Sequence, residues 1–362
     1  MVLKSTTLQD FRNYTQKQFE FALGLNLVAG RNATGKSNLL EALYLLATGT
    51  SRRADLGEEM IRYKQDLARV KGQIIPSESS EFSELEVILT RGLLLGEKVA
   101  KKKFLINGVA KRRLDFVGSF KAVYFGPENL AIIIDGPSIR RDYLDLVLTQ
   151  TDHDYTRALL SYHKGLRQRN RLLEQIRDQH RPRTSLYFWD RLLIENGRIL
   201  TEKRAEMVDF VNQNSEKYGY LSLLYQRNLI SVERLTQYQA AETAAAKTLI
   251  GPHRDDFEIG TRDMKHETHQ FDGQARNLHL YGSRGEQRTA IFYLKLAELD
   301  FIRQKTEQTP VLLLDDIFSE LDQSHRELIL HSLPDLQVVL TTTDVNLVKA
   351  KYQSQAKIIS LG

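Results

Sequence analysis

The octapeptide GRNATGKS, Gly30 to Ser37, constrains the chain more than any other stretch. It has the form G-x-x-x-x-G-K-[ST], follows the apolar run LVAG (27–30) and opens the amphipathic run SNLLEALYLLAT. Glycines at such a strand-to-helix turn let backbone N–H groups converge on phosphate oxygens, and the helix N-terminus adds partial positive charge. Gly30, Arg31, Asn32, Ala33, Thr34, Gly35, Lys36, Ser37 and Asn38 therefore form a candidate nucleotide cradle. Lys36 places a point charge on the β- and γ-phosphates, and the Ser37 hydroxyl suits Mg²⁺.

A phosphate loop needs an acid beside it, and PVLLLDD (310–316) supplies one. Its apolar residues predict a buried strand that brings Asp315 to a metal and leaves Asp316 to polarise the attacking water. SELD (319–322) follows at once. Asp322 is placed to act across an interface, and Ser319 reads as a helix N-cap at the same time. The stretch YGSRGEQRTA (281–290) opens a helix expected over about 286 to 305. Ser283 and Glu286 have the S-x-x-E spacing of a capping box. Capping accounts for those two residues but not for the glycine and two arginines around them.

Elsewhere the N-terminal part reads as strands. ELEVILT (84–90) alternates, AVYF (122–125) is a short buried run, and Asn107-Gly108 predicts a type I′ hairpin. From about Arg140 to Tyr225 the period is helical. Tyr155, Leu159, Tyr162, Leu166, Leu173 and Ile176 recur until Pro182, and a second helical run covers roughly 188 to 218. Limbs of about 25 residues, near 40 Å at the helical rise, predict a short helical hairpin. After Gly251-Pro252 the chain reads as irregular and polar as far as the glycine-serine helix start. The expected architecture is α/β: one mixed-sheet lobe built from both ends of the chain (1–125 with 300–362) and an inserted helical lobe (126–299).

No stretch approaches 18 uninterrupted apolar residues, the N-terminal MVLKSTTLQDFRNY lacks the apolar core of a secretory signal, and there is no cysteine. These point to a cytoplasmic address and no membrane partner. The formal charge of +5 matters less than its distribution. Lys98 to Arg113 holds seven Lys or Arg and no acid; Arg157 to Arg183 holds eight against Glu174 and Asp178. Both suit nucleic-acid phosphates, and the first, with Lys101, Lys102, Lys103, Lys111, Arg112 and Arg113, is the better candidate. Nothing reads bases, so contact is expected to the backbone. His253 and His266 beside Asp255 and Asp256 match no ligand spacing, and no stretch supports glycosidase carboxylates or a nucleophile triad.

The phosphate loop, the late acidic strand, SELD and the serine-glycine helix start together resemble the ATP-binding-cassette ATPases, in the branch shared with SMC proteins. LQDFRNY (8–14), GRNATGKSNLLEALYLLATGTSRR (30–53), FGPENL (125–130), GPSIRRDYLD (136–145), GPHRDDFEI (251–259), SRGEQRT (283–289) and LLLDDIFSELD (312–322) resemble the RecF family of bacterial recombinational-repair proteins over essentially the whole chain. The resemblance implies an ABC-type head and an ATP-dependent homodimer. In it Ser283, Gly285, Glu286 and Asp322 of one copy meet the nucleotide on the P-loop of another. It places Arg12 near the phosphates, Glu128 where relatives carry a Mg²⁺-sensing glutamine, and Thr343 where relatives carry a switch histidine. Asp316 stands where transporters have glutamate. The implied function is ATP-dependent DNA binding with slow, DNA-stimulated hydrolysis. It serves with RecO and RecR to direct RecA onto single-stranded gaps beside duplex junctions, in replication restart and SOS induction. Other readings are an ATPase subunit of a membrane transporter or a clamp subunit of a nuclease complex. The basic β-hairpin and helical hairpin argue against the first, and the shortness of the helical limbs against the second.

Overall fold

The computed structural model describes residues 1–54, 56–76, 81–94, 96–261, 275–319, 323, 326–327, 336–345 and 348–361. The chain divides into two compact units, Met1–Asn129 with Glu298–Gly362, and Leu130–Ala297.

The first unit contains two main sheets. One is parallel throughout, in the order β10 (Ala122–Phe125), β14 (Val311–Asp315), β15 (Val338–Thr342), β3 (Leu25–Gly30), β16 (Lys357–Leu361). Its three central strands are near-continuous apolar runs, as strands covered on both faces must be. The other sheet is antiparallel, in the order β2 (Tyr14–Glu20), β1 (Val2–Phe11), β4 (Leu67–Ile75), β5 (Ser83–Thr90), β8 (Lys102–Ile106), β9 (Val109–Lys111). A two-residue ladder, β6 (Leu93–Leu94) with β7 (Glu97–Lys98), extends from it. The β8–β9 connection has Asn107 at φ 51° and Gly108 at φ 75°, the double left-handed conformation of the expected type I′ turn.

The helix Lys36–Thr48 touches strands of both sheets and is buried on nearly every face from Leu39 onward. A helix apolar all round belongs in a core, and this one joins the two sheets. Gly72 of β4 makes the close approach possible, since a Cβ there would lie 2.7 Å from Leu46 Cδ1.

The second unit is mainly helical. Helices His153–Gln179 and Tyr187–Gln213, 27 residues each, form the expected hairpin. Gly165 lies against Leu192 and Leu193, and Gly197 against Tyr162, so the limbs run antiparallel with their backbones close at the two glycines. Two arginines sit wholly inside. Arg169, 0 % exposed, donates to Asp190 Oδ1 (2.7 Å), Glu242 Oε2 (2.7 Å) and Thr248 Oγ1 (2.9 Å). Arg204, 2 % exposed, donates to Asp145 Oδ1 (2.7 Å), Asp255 Oδ2 (3.1 Å) and the Pro252 carbonyl (2.7 Å). Burying a guanidinium is costly unless its N–H groups are matched, and here they are.

Two readings of this region are corrected. Leu221–Gln226, assigned to the end of the helical run, is strand β11, and the segment after Gly251-Pro252 contains strand β12 (Asp256–Thr261). With β13 (Arg276–Asn277) they form a three-stranded antiparallel sheet. LSLLYQ is too short and too apolar to show either period clearly, so pairing with β12 decides its state.

Candidate nucleotide-binding site

The phosphate loop leaves β3 at Gly30 and passes through Ala33 (φ 66°) to Gly35 (φ 111°) at the start of the helix. Gly35 has no room for a side chain: a Cβ would lie 2.6 Å from the Tyr14 hydroxyl and 2.8 Å from Asn13 Nδ2. Gly30 is equally enclosed, 2.6 Å from the Leu361 carbonyl oxygen. The β1–β2 turn holds the loop in place. Tyr14 donates to the Gly35 carbonyl (3.0 Å), Asn13 Nδ2 to the Thr34 carbonyl (3.2 Å), and Asn38 Nδ2 to Asn13 Oδ1 (2.8 Å). No side chain caps the helix start, so its first N–H groups stay open to an anion. Lys36 is nearly buried and folds back over its own loop, donating to the carbonyls of Gly30 (2.8 Å) and Arg31 (3.0 Å). Its ammonium is held by the loop, while Arg31, Asn32 and Ala33 are exposed around it.

The two acids lie at the C-terminal end of β14, which β15 joins to β3 in the parallel sheet. Asp315, 6 % exposed, accepts three hydroxyl hydrogen bonds. Ser37 Oγ (3.0 Å) and Thr341 Oγ1 (2.7 Å) meet one carboxylate oxygen, and the Tyr124 hydroxyl (3.1 Å) meets the other. Asp316 departs from the strand with φ 49°, a left-handed conformation that costs a non-glycine residue energy and recurs at functional sites. Thr341 Oγ1 accepts its N–H at 3.0 Å. Burial pushes the Asp316 carboxyl above its ordinary value; Lys36 opposes this, Asp315 adds to it, and the Thr343 backbone N–H opposes it again. Thr343 thus meets Asp316 through its backbone. Asp322 lies outside the described residues, as does the capping contact expected of the Ser319 side chain.

Ser37 also lines a small pocket with Glu41, Tyr44, Arg52, Arg53, Tyr124 and Glu128. Glu128 Oε1 is buried there without a hydrogen-bond partner among the described residues. A serine hydroxyl, a buried carboxylate and a second carboxylate oxygen still unsatisfied form an all-oxygen donor set that fits Mg²⁺. Tyr124 is hydrogen-bonded to both Asp315 and Glu128, and burial followed by those two acids drives its pKa far up, so it stays a hydroxyl. The Arg52 guanidinium lies 5.7 Å from the centroid of the Tyr124 ring and 5.8 Å from that of Tyr44. Arg12, assigned to the phosphates, makes a bidentate pair with Glu41 of the P-loop helix (2.8 and 2.6 Å) and donates to the Glu59 carbonyl (2.8 Å).

In the second unit, Ser283 opens the helix Arg284–Thr306 with a complete capping box. Ser283 N donates to Glu286 Oε2 (2.8 Å) and Glu286 N to Ser283 Oγ (3.3 Å). These bonds, with Arg276, pull the Glu286 carboxyl down to about 2. Gly285 is different. It is exposed, its φ is not in the left-handed range, and a Cβ built on it would meet nothing within 4 Å. Among the described residues nothing lies close enough to require a glycine there.

The basic β-hairpin is less uniform than its sequence. Lys102 Nζ donates to the Gly49 carbonyl (2.9 Å) and Arg113 Nη2 to the Thr48 carbonyl (3.2 Å), so both heads neutralise the C-terminus of the P-loop helix. Burial holds both below their ordinary pKa values. Lys101 and Arg112 are exposed but face Glu58 and Asp115, while Lys103 and Lys111 are exposed without an ion pair among the described residues. His253 is structural: Tyr162 and the Thr248 carbonyl hold its two ring nitrogens (2.8 and 3.1 Å). Among the described residues no His, Asp and Glu cluster of metal-binding type occurs, and no helix is long and apolar enough to cross a membrane. His266 lies outside them.

Reading the sequence alone missed Tyr124, Thr341, Glu41, Asn13 and Tyr14. Asn13 and Tyr14 stand next to Arg12 in LQDFRNY, a usable signal. Tyr124 and Thr341 required the strand order.

Against known proteins, residues 2–360 match the model of the RecF/RecN/SMC N terminal domain. The DNA replication and repair protein RecF of Agathobacter rectalis is 34% identical over 365 residues, covering 98% of this chain and 95% of the relative. RecF of Lachnoclostridium phytofermentans is 33% identical, covering 95% and 93%. A solved structure of the recombination mediator protein RecF with ATP, from the RecFOR pathway, superposes with a TM-score of 0.82 at 32% identity, covering 96% of this chain and 93% of that one. An Smc head bound to the C-winged helix domain of ScpA shares the fold alone, with a TM-score of 0.51 at 15% identity.

Proposed function

The chain belongs to the RecF family of DNA replication and repair proteins, and we propose that it works there as an ATP-driven switch on DNA. The observation that carries the reading is the grip on Asp315: the first hydroxyl of the P-loop helix and the strand-end acid are already in hydrogen-bond contact. Bound ATP and Mg²⁺ supply the reactive γ-phosphoryl group and the charge that neutralises it. Gly30 to Asn38 wrap the phosphates, with Lys36 moving from its own carbonyls onto their oxygens. Ser37 and Asp315 would hold the metal, with Glu128 beside them, and Tyr124 and Thr341 fix the Asp315 carboxylate. Asp316 orients a water for attack on the γ-phosphorus. Its raised pKa keeps it basic enough to accept the proton as the bond to the leaving ADP breaks.

A second copy completes the site. Ser283 and Glu286 fix the helix start through their capping box, and Gly285, exposed beside them, would leave the approach clear for a phosphate of the partner's nucleotide. Asp322 belongs to the same nucleotide-dependent interface, and Arg12, held by Glu41, stands near the phosphates. Hydrolysis is slow and DNA-stimulated, with ATP closing a dimer on DNA and hydrolysis opening it. The protein is cytoplasmic, works with RecO and RecR at gap junctions between single-stranded and duplex DNA, and serves RecA loading.

Light scattering tests this, on protein alone, with ATP·Mg²⁺, and with ATP·Mg²⁺ plus a gapped duplex, using Asp316→Asn to slow turnover. A dimer that forms only with ATP and tightens with DNA is expected. A monomer under every condition would overturn the switch.

A further inference from the structure

The two limbs of the helical hairpin have the same length but different outer faces. On Tyr187–Gln213 the exposed cations alternate with acids one turn away: Arg191 pairs with Glu195 (2.8 Å) and Arg198 with Glu202 (3.9 Å). On His153–Gln179 they do not. Arg157, Lys164, Arg167 and Arg171 are all exposed, and at 100° per residue they fall within an arc of roughly 80°. That arc lies opposite Tyr155, Tyr162, Arg169, Leu173 and Ile176, which face the hairpin core. Arg157 pairs with Asp154, but Lys164, Arg167 and Arg171 have no ion pair among the described residues. The acids of this limb are Asp154 at its base and Glu174 and Asp178 toward its tip, where Asp178 is taken by Arg177; none lies between Arg157 and Arg171.

Like charges three and four residues apart destabilise a helix, so an unrelieved row is a cost the fold itself does not explain. From Arg157 to Arg171 the row spans about 21 Å at 1.5 Å per residue. That is the axial length of about six base pairs at 3.4 Å each. The only apolar side chain within the row is Leu160, and it offers a peptide no groove. Recognition by charge alone, along a line, is how a nucleic-acid backbone is bound. We propose that the outer face of the helix His153–Gln179 is a track for the phosphate backbone of duplex DNA, through Lys164, Arg167 and Arg171. The assignment rests on the DNA reading above and names a surface separate from the basic β-hairpin.

The test is fluorescence anisotropy of a labelled 30-bp duplex titrated with full-length protein and ATP·Mg²⁺ at several salt concentrations. The combined variant Lys164→Gln, Arg167→Gln, Arg171→Gln is compared with a control, Arg191→Gln with Arg198→Gln, on the balanced limb. Three lost phosphate contacts reduce the slope of log K against log salt by roughly 2.7, at about 0.9 per contact. The control slope is expected to stay at the wild-type value. An unchanged slope in the triple variant, or equal loss in the control, overturns the assignment. So does an unchanged duplex slope accompanied by lost binding of a polyglutamate probe, which would give the face to an acidic protein segment. Failure of the unaltered protein to bind duplex at all would instead overturn the DNA reading itself.

Discussion

Arg169 belongs by sequence to the same basic run as the proposed track and by structure to the interior, so its replacement separates the two roles. Arg169→Met removes three hydrogen bonds, two of them to carboxylates, while keeping an unbranched side chain of similar length. Glu242, 0 % exposed, is left with the Leu249 N–H (2.9 Å) as a remaining partner and, for charge, only the less direct influence of Arg183. Breaking a buried pair from one side costs about 3–5 kcal/mol, chiefly through the stranded charge. Trp189 is the chain's single tryptophan and is adjacent to Asp190, so its fluorescence reports this hairpin selectively. With a urea m-value of about 2 kcal/mol/M, the midpoint falls by roughly 1.5–2.5 M. Adding Glu242→Gln neutralises the stranded carboxylate and is expected to recover part of the loss. Below the new transition, the DNA salt slope stays that of the wild type. A midpoint shift under 0.5 M, or a double variant no better than the single, would refute the argument that Arg169 is held by charge pairing.

Tyr124→Phe removes one of the three hydroxyls on Asp315, worth about 1 kcal/mol, so roughly fivefold more Mg²⁺ should be needed for half-maximal ATP turnover; an unchanged Mg²⁺ requirement would exclude a positioning role. Ser283→Arg should leave nucleotide binding intact and abolish ATP-dependent dimerisation, read by light scattering; a dimeric variant would reduce this serine to a cap. Lys36→Ala should lose ATP binding in calorimetry, and normal affinity would contradict the phosphate-loop geometry. Because the Asp316 carboxyl titrates above an ordinary aspartate, ATP turnover should fall as pH drops through that raised value, where the acid becomes protonated. Asp316→Asn should keep ATP binding and lose that acid limb; an acid limb persisting in its residual turnover would point to another group.

The nucleotide site was legible in sequence wherever its chemistry is local. Gly30 to Ser37 lie in one turn, and Asp315 ends an unmistakable apolar run. Tyr124 and Thr341 were not legible, because what matters about them is that β10 and β15 flank β14, and neighbours in a parallel sheet are not neighbours in sequence. Charge was the least legible property. Lys102, Arg113 and Arg169 look in sequence like Lys103 and Arg167, yet the first two serve a helix C-terminus and the third serves two carboxylates. Composition counts cations and does not say which are already matched. Glycine was informative in both directions: Gly35 has no space for a side chain, whereas Gly285 has space that its own chain does not use.

The enclosure of Gly30 by Leu361 has a consequence for biosynthesis. β16 pairs in parallel with β3 along its whole length, so the strand that launches the phosphate loop acquires one of its flanking strands only from residues 357–361. β14 and β15, at 311–315 and 338–342, also arrive late. At about 5–20 residues per second, residue 361 follows residue 30 by roughly 20 s to a minute. Until β14 is made, the nascent chain displays a glycine-rich turn with neither the strands nor the acid that flank it in the folded site. The ATPase unit therefore cannot mature from its N-terminal end. A ribosome stalled anywhere before β14 leaves a product without the acid-bearing strand, and the site is withheld until β14 to β16 have been made.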